Sequence, residues 1–211
     1  MDKAGTTAVI VFTRAPIAGA SKTRLIPALG EKAAAALHAR MIKHTLETLR
    51  DLPADHDLQL WCAPDTRHPL FARLAGRHDL SLHTQRGNHL GARMYHALDT
   101  ALQEHDHAIV IGTDCPGLAT ADILAASDAL KAEADVVIGP AADGGYWLLG
   151  AGAVSETLFR EIPWGSDRVY EQTLQRIDIL DWRSHALRTL TDIDRPEDLA
   201  QLPVRLLKGL T

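Results

Sequence analysis

Alternating apolar runs and amphipathic segments predict a three-layer α/β/α protein built on a mostly parallel sheet. Three observations carry this. Ala8-Val9-Ile10-Val11-Phe12 and Ala108-Ile109-Val110-Ile111 are continuous apolar runs, the mark of strands covered on both faces. The segment from about Gly30 to Arg50 is rich in Ala and Leu and repeats Leu37, Met41, Thr45 and Leu49 at four-residue spacing, which makes one helical face. The strand-helix rhythm then continues along the chain, as βα units do.

In chain order, the first strand is expected at Thr7–Thr13, followed by a loop with Pro16, Gly19 and Pro27 and then the long helix. Asp57–Ala63 reads as a strand, Pro69–Ala75 as a helix, Leu80–Gln85 as a strand and Leu90–Gln103 as a helix. The run at residues 108–112 is the best candidate for a central strand, with its helix at Ala121–Ala132. Val136–Gly139 opens another strand, and a Gly-rich turn leads to a second apolar run at Tyr146–Gly150. Ser166–Arg176 reads as a helix, Leu187–Ile193 as a late strand and Pro196–Leu202 as a closing helix.

Composition narrows the class. The 211 residues, 46% hydrophobic and 23% charged, suit one domain spanning 1–211, without linker, repeat or low-complexity tract. A net charge of −5 lacks the basic footprint of a nucleic-acid binder. Cys62 and Cys115 sit in or just after apolar runs and read as buried thiols of a reducing compartment. The eleven histidines show no zinc-site spacing, and no apolar run has the length of a membrane span. The expectation is a soluble, cytoplasmic protein.

Ligands of open α/β sheets bind beyond the carboxyl ends of the strands, so the loops there matter most. Arg14-Ala15-Pro16-Ile17-Ala18-Gly19-Ala20-Ser21-Lys22-Thr23-Arg24-Leu25 leaves the first strand with three cations and a hydroxyl pair. It is not a P-loop, because Pro16 and Ser21 stand where that motif needs glycines, and no dinucleotide fingerprint follows the strand. Two readings remain: a diphosphate clamp by Lys22 and Arg24 with loop amides around Gly19, or a solvated basic loop.

The residue order then adds a resemblance. Phe12-Thr13-Arg14-Ala15-Pro16, Gly19 and Lys22-Thr23-Arg24-Leu25 resemble the opening of a family of small bacterial proteins. These were first a domain of unknown function and later were labelled glycosyltransferases linked to arsenosugar biosynthesis. Leu90-Gly91-Ala92-Arg93-Met94, Gly112-Thr113-Asp114-Cys115-Pro116, Gly139-Pro140, Asp143-Gly144-Gly145-Tyr146 and Ile162-Pro163-Trp164 follow in the same order, so the resemblance covers nearly the whole chain. It implies the Rossmann-like nucleotide-diphospho-sugar transferase (GT-A) fold, which nucleotidyltransferases such as the molybdenum-cofactor and 2-phospholactate guanylyltransferases share. Fold is thereby better specified than reaction.

With that fold in view, Asp114 after the central strand is expected to hold Mg²⁺ or Mn²⁺ against a diphosphate, though it can also cap a turn before Pro116. GT-A glycosyltransferases usually carry Asp-x-Asp here. Gly112 replaces the first Asp, leaving the single-Asp form of the nucleotidyltransferases. Asp192-Ile193-Asp194-Arg195-Pro196 resembles the closing motif of the related guanylyltransferases; Asp194 is expected mainly as a helix N-cap and Asp192 as a second metal contact. Asp143-Gly144-Gly145-Tyr146 reads either as a tight turn or as a site where Asp143 takes the acceptor proton, with the glycines allowing close backbone approach. Arg14, Thr23 and Arg93 are further phosphate or base candidates. Tyr146, Trp164 and Arg168 are substrate candidates, each with a plain packing or solvent-facing alternative.

The favoured function is a metal-dependent glycosyltransferase that moves a sugar from a nucleoside-diphosphate donor to a small-molecule acceptor. The alternatives are a nucleotidyltransferase that releases pyrophosphate and, behind it, a non-catalytic nucleotide-binding protein.

Overall fold

A computed structural model describes residues 5–210. Its elements run β1 (Thr7–Arg14), α1 (Ile26–Leu29), α2 (Glu31–Thr48), β2 (His56–Ala63), α3 (Pro69–His78), β3 (Ser81–Thr84), α4 (Leu90–Leu102) and β4 (His107–Ile111). Then come α5 (Thr120–Lys131), β5 (Val136–Pro140), β6 (Tyr146–Ala151), α6 (Val169–Ile179), β7 (Ser184–Ala186) and α7 (Val204–Leu207). Three short 3-10 turns lie at Thr23–Leu25, Glu156–Phe159 and Pro196–Gln201.

The described strands form a seven-stranded sheet in the order β3-β2-β1-β4-β6-β5-β7. Every pairing is parallel except those of β6, which runs antiparallel to both β4 and β5. The α/β/α expectation is met, for a visible reason. Side chains alternate across a strand, and here both sides are buried. Val9, Val11, Ile109 and Ile111 meet α2, α3 and α5 on one face; Ala8, Ile10, Ala108 and Val110 meet α4 and α6 on the other. The four-residue stripe of α2 is buried as expected, with Leu37, Met41, Thr45 and Leu49 all shielded. Both cysteines are free and buried.

The last third of the chain departs from the sequence expectation in three places. The strand expected at Leu187–Ile193 is not there; β7 is Ser184–Ala186, and the following residues form an irregular strap. The strap makes one isolated bridge, Ala141 to Leu190, and drops Leu190 and Ile193 into two different parts of the core. The closing helix is a 3-10 turn of six residues. It is capped by Asp198, whose Oδ2 accepts from the backbone N–H of Asp194 and Arg195 at 3.0 and 2.7 Å, so Asp194 is not the cap. Lastly, α6 begins at Val169 rather than at Ser166.

Candidate active site

The carboxyl ends of β1, β4 and β5 and the start of β6 lie at one end of the sheet, and a cleft of about 570 Å³ opens there. Arg14, Arg93, Asp114, Asp143, Asp192 and Trp164 line it. A loop after β1, a loop after β4, a hairpin turn and the strap thus deliver their polar residues to one place. A second cavity of about 460 Å³ adjoins it and shares the walls His89 and Trp164.

The acidic residues come from three segments. Asp114 follows β4, and its chain is tied to the strap by the Ile193 N–H donating to the Asp114 carbonyl at 2.8 Å. That bond carries Asp192 to the cleft. Burial, with help from Asp143 and Asp114, lifts the Asp192 carboxyl to about 6. Asp143 sits in the β5–β6 hairpin, where its Oδ1 accepts from the Gly145 N–H at 2.9 Å. The turn reading of Asp143-Gly144 is therefore correct as local structure. Gly144 has φ +88°, and a Cβ there would fall on the Asp167 carbonyl, so glycine lets the hairpin close against the start of α6.

The cations are distributed differently from a simple clamp. Lys22 adopts a left-handed backbone (φ 49°) and turns its side chain inward. Its Nζ lies 2.9 Å from Asp114 Oδ1 and donates to the Ile193 carbonyl. Arg24 pairs with Asp194 outside the cleft, and Gly19 and Thr23 are exposed on the loop. Ser21 organises that loop: its hydroxyl donates to the Ala15 carbonyl at 2.7 Å and accepts from the Ile17 N–H at 2.9 Å. The amides of Ala20 and Ser21 are spent on the Ile17 carbonyl. Arg14 and Arg93 are the guanidinium groups that reach the cleft; Arg93 is steadied by its Nε donating to the Gly87 carbonyl at 3.0 Å. Arg168 is exposed, outside the cleft wall.

The far end of the cleft is aromatic. Trp164 makes an edge contact with Tyr146 at 6.4 Å and stacks on Phe159 at 6.5 Å. It lies against the first turn of α4 because Gly91 has no side chain; a Cβ there would stand 2.5 Å from the ring. Burial pushes the Tyr146 hydroxyl well above the ordinary tyrosine range, and the hydroxyl donates to Met94 Sδ at 3.7 Å.

Three contributors escape sequence reasoning. His38, buried on α2, places Nε2 3.0 Å from the Arg14 carbonyl, so Nε2–H donates and steadies the end of β1. Burial holds its basicity down against the pull of Asp114. Gln85 donates to the Thr13 and Trp61 carbonyls at 3.0 and 2.8 Å and forms part of the cleft wall. His89 caps α4 by accepting from the Ala92 N–H at 3.2 Å. Gln85, a polar residue at the end of an expected strand, carried a faint signal; His38, inside a helical repeat, carried none.

For a divalent ion, the donor set is hard carboxylate oxygen, which suits Mg²⁺ or Mn²⁺. Asp114 Oδ1 is shielded from solvent and receives no well-directed hydrogen bond, so Lys22 answers it by charge alone. Among the described residues no three His, Cys, Asp or Glu side chains converge closely enough to cage an ion unaided. Mg²⁺ commonly takes one or two carboxylates and completes its shell with substrate phosphates and water. Asp114 and Asp192 fit that pattern.

Such a sheet order, with one reversed strand and an acidic cleft at its carboxyl end, defines the class: the nucleotide-diphospho-sugar transferase fold. The chain belongs to the bacterial family DUF2064, described as an uncharacterized protein conserved in bacteria, whose profile matches residues 45–166. Its similarity to a Desulfovibrio desulfuricans G20 protein assigned to the nucleotide-diphospho-sugar transferases is extensive: TM-score 0.84, 28% identity, 96% of this chain and 88% of the other. Two more distant structures share the fold. The 4-diphosphocytidyl-2C-methyl-D-erythritol synthase of Anaerococcus prevotii superposes with TM-score 0.64 at 11% identity over 98% of each chain. Glucosyl-3-phosphoglycerate synthase of Mycobacterium tuberculosis, solved with Mn²⁺ and UDP, gives 0.58 at 12% identity over 94% of this chain and 75% of its own. No curated protein sequence matches significantly. These structural relatives are transferases, glycosyl and nucleotidyl alike. No helix of the described residues is long and apolar enough to cross a membrane.

Proposed function

We propose that the protein is a metal-dependent glycosyltransferase using a nucleoside-diphosphate sugar. The observation that carries this reading is the make-up of the cleft. Its wall joins the carboxylates Asp114, Asp143 and Asp192 to the rings of Tyr146 and Trp164. A nucleotide laid along β1 and α4 would bring its diphosphate to Arg14, Arg93 and the carboxylates. The sugar would then stand against the aromatic wall, where rings suit its apolar face.

Asp114 and Asp192 would hold Mg²⁺ or Mn²⁺, which when bound neutralises charge gathering on the departing diphosphate. Arg14 and Arg93 would add to that stabilisation from the nucleotide side. In an inverting transfer, the anomeric carbon–oxygen bond breaks with its electron pair leaving on the diphosphate. The acceptor oxygen forms the new bond, and its proton passes to Asp143. The Asx turn holds the exposed Asp143 carboxylate in the cleft wall, where an acceptor hydroxyl would meet it.

Calorimetric titration of UDP, GDP, their sugars and the nucleoside triphosphates, with and without Mn²⁺ or Mg²⁺, tests this on the wild type and Asp114→Ala. Metal-dependent binding of a nucleoside diphosphate or its sugar, lost in Asp114→Ala, is expected. A preference for triphosphates would transfer the reading to nucleotidyl transfer, and no nucleotide binding would end both. With the donor in hand, Asp143→Asn should bind it normally and lose about 10²–10⁴-fold in turnover. Full turnover would remove Asp143 as the base.

A further inference from the structure

Lys22 does not stand where a phosphate clamp would. Its side chain is 4% exposed, while that of its partner Asp114 is 47% exposed. The ammonium is enclosed between Asp114 Oδ1 at 2.9 Å and the Ile193 carbonyl. Asp114 and Ile193 are themselves joined by the 2.8 Å backbone bond, so three chain segments meet around one positive charge. A non-glycine residue in the left-handed region marks a conformation held by its surroundings, and Lys22 is held there at φ 49°, ψ 45°. Its side chain is not part of the cleft wall, whereas Arg14 and Arg93 line it.

We infer that Lys22 is a resident counter-cation of Asp114, a positioning residue that tunes the carboxylate cluster to take a divalent ion only together with a nucleotide. The inference rests on the metal reading above. Asp114, Asp143 and Asp192 bring three negative charges to one cleft, and Lys22 neutralises one of them from behind. An ion arriving alone therefore meets a net charge of two rather than three. An ion arriving with a diphosphate brings its own anionic ligands, which offset that loss. Lys22 thereby makes ion binding depend on the donor.

The test is Mn²⁺ binding followed by electron paramagnetic resonance and calorimetry without nucleotide, on the wild type, Lys22→Met, Lys22→Arg and Asp114→Asn. Lys22→Met is expected to bind free Mn²⁺ about tenfold more tightly, since even in water a unit charge across one carboxylate is worth that much to a divalent ion. Lys22→Arg, which keeps the charge, should stay within a few-fold of the wild type. Weaker or unchanged Mn²⁺ binding by folded Lys22→Met would overturn the inference. If Lys22→Met does not fold, Lys22→Gln removes the charge while keeping a donor for the Ile193 carbonyl, and the same two outcomes decide. Asp114→Asn separates the two layers of argument. If it binds Mn²⁺ as the wild type does, the ion does not use Asp114, and the metal reading fails with the inference; if it loses Mn²⁺ while Lys22→Met gains nothing, only the inference fails.

Discussion

At the residue scale, the acidic cluster has a measurable consequence even without ligand. Asp192 holds its proton to about pH 6 in the folded protein, because burial and the neighbouring Asp143 and Asp114 oppose its charge; in the unfolded chain it releases the proton near the ordinary 3.8. The folded form therefore binds the extra proton between those values, and stability is favoured there by low pH. That favourable contribution is complete below the unfolded value and is lost as pH rises through 6. Above it, Asp192 is a half-buried charge without a cation. Asp192→Asn should raise the melting temperature at about pH 8 by a few degrees, on the order of 1 kcal/mol after allowing for solvent screening. At about pH 4 it should change little, because the wild-type carboxyl is then neutral too. Equal shifts at the two pH values would show that the charge is not the cause. Residue identity was readable here but placement was not: Lys22 read either as part of a diphosphate clamp or as one cation of a solvated loop, and its burial depends on a left-handed turn that no local pattern announces.

Elements were legible wherever apolar burial wrote them into the sequence. β1 and β4 are covered on both faces, so their apolar runs are unbroken; α2 repeats its stripe because Leu37 and Met41 pack against Leu25, Ile193, Leu202 and Leu206, while Leu49 just past its end joins Ile42 and Leu46 in the core against the sheet. β7 is an exposed edge strand of Ser, His and Ala, with no apolar period to detect. The apolar residues just after it, Leu190 and Ile193, imitate a strand while serving as anchors of the strap. That strap has its own fastening. Arg188 grips Asp122 at the start of α5 with two bonds of 2.6 and 2.7 Å and donates to the Gly117 carbonyl at 2.9 Å. Although burial pushes the Asp122 carboxyl upward, the Arg188 fork and the Ala119 amide hold it below the usual range. Arg188→Met should loosen residues 188–194, seen as faster amide hydrogen exchange there, and cost about 1–2 kcal/mol of stability. Because Asp192 rides on the strap, metal-linked nucleotide binding should weaken by several-fold although Arg188 touches no ligand. Unchanged exchange in the strap would show that Leu190 and Ile193 suffice to hold it.

Across the whole molecule, the cleft is assembled from segments that are distant in sequence: the loop after β1, the first turn of α4, the loop after β4, the β5–β6 hairpin and the strap. A ligand bridging them binds the folded chain and not the unfolded one, so it must stabilise the protein globally. A nucleoside-diphosphate donor at about a hundred times its dissociation constant is worth about 2.7 kcal/mol, or roughly 5–10 °C for a chain of this size. The shift should appear with Mn²⁺ or Mg²⁺ present, vanish on adding a chelator and be absent in Asp114→Ala. A shift that survives the chelator would mean that Arg14 and Arg93 hold the nucleotide without an ion.

One strand running backward has a wider meaning. A parallel neighbour would have to return along the sheet through a helix, whereas reversed β6 needs only the five residues between Pro140 and Tyr146 to turn at the cleft. That hairpin brings Asp143 to the cleft edge, and the chain beyond β6 goes on to supply Phe159 and Trp164. The half of the chain before Ile111 supplies Arg14 and Arg93, and the half after it supplies the aromatic compartment and the second cavity, apart from His89 and residues of α4. If the cleft takes a nucleotide sugar as proposed, changes in the stretch from 152 to 168 would reshape the aromatic compartment and its neighbour while Arg14 and Arg93 stay as they are, so a different acceptor would be reached by altering one segment.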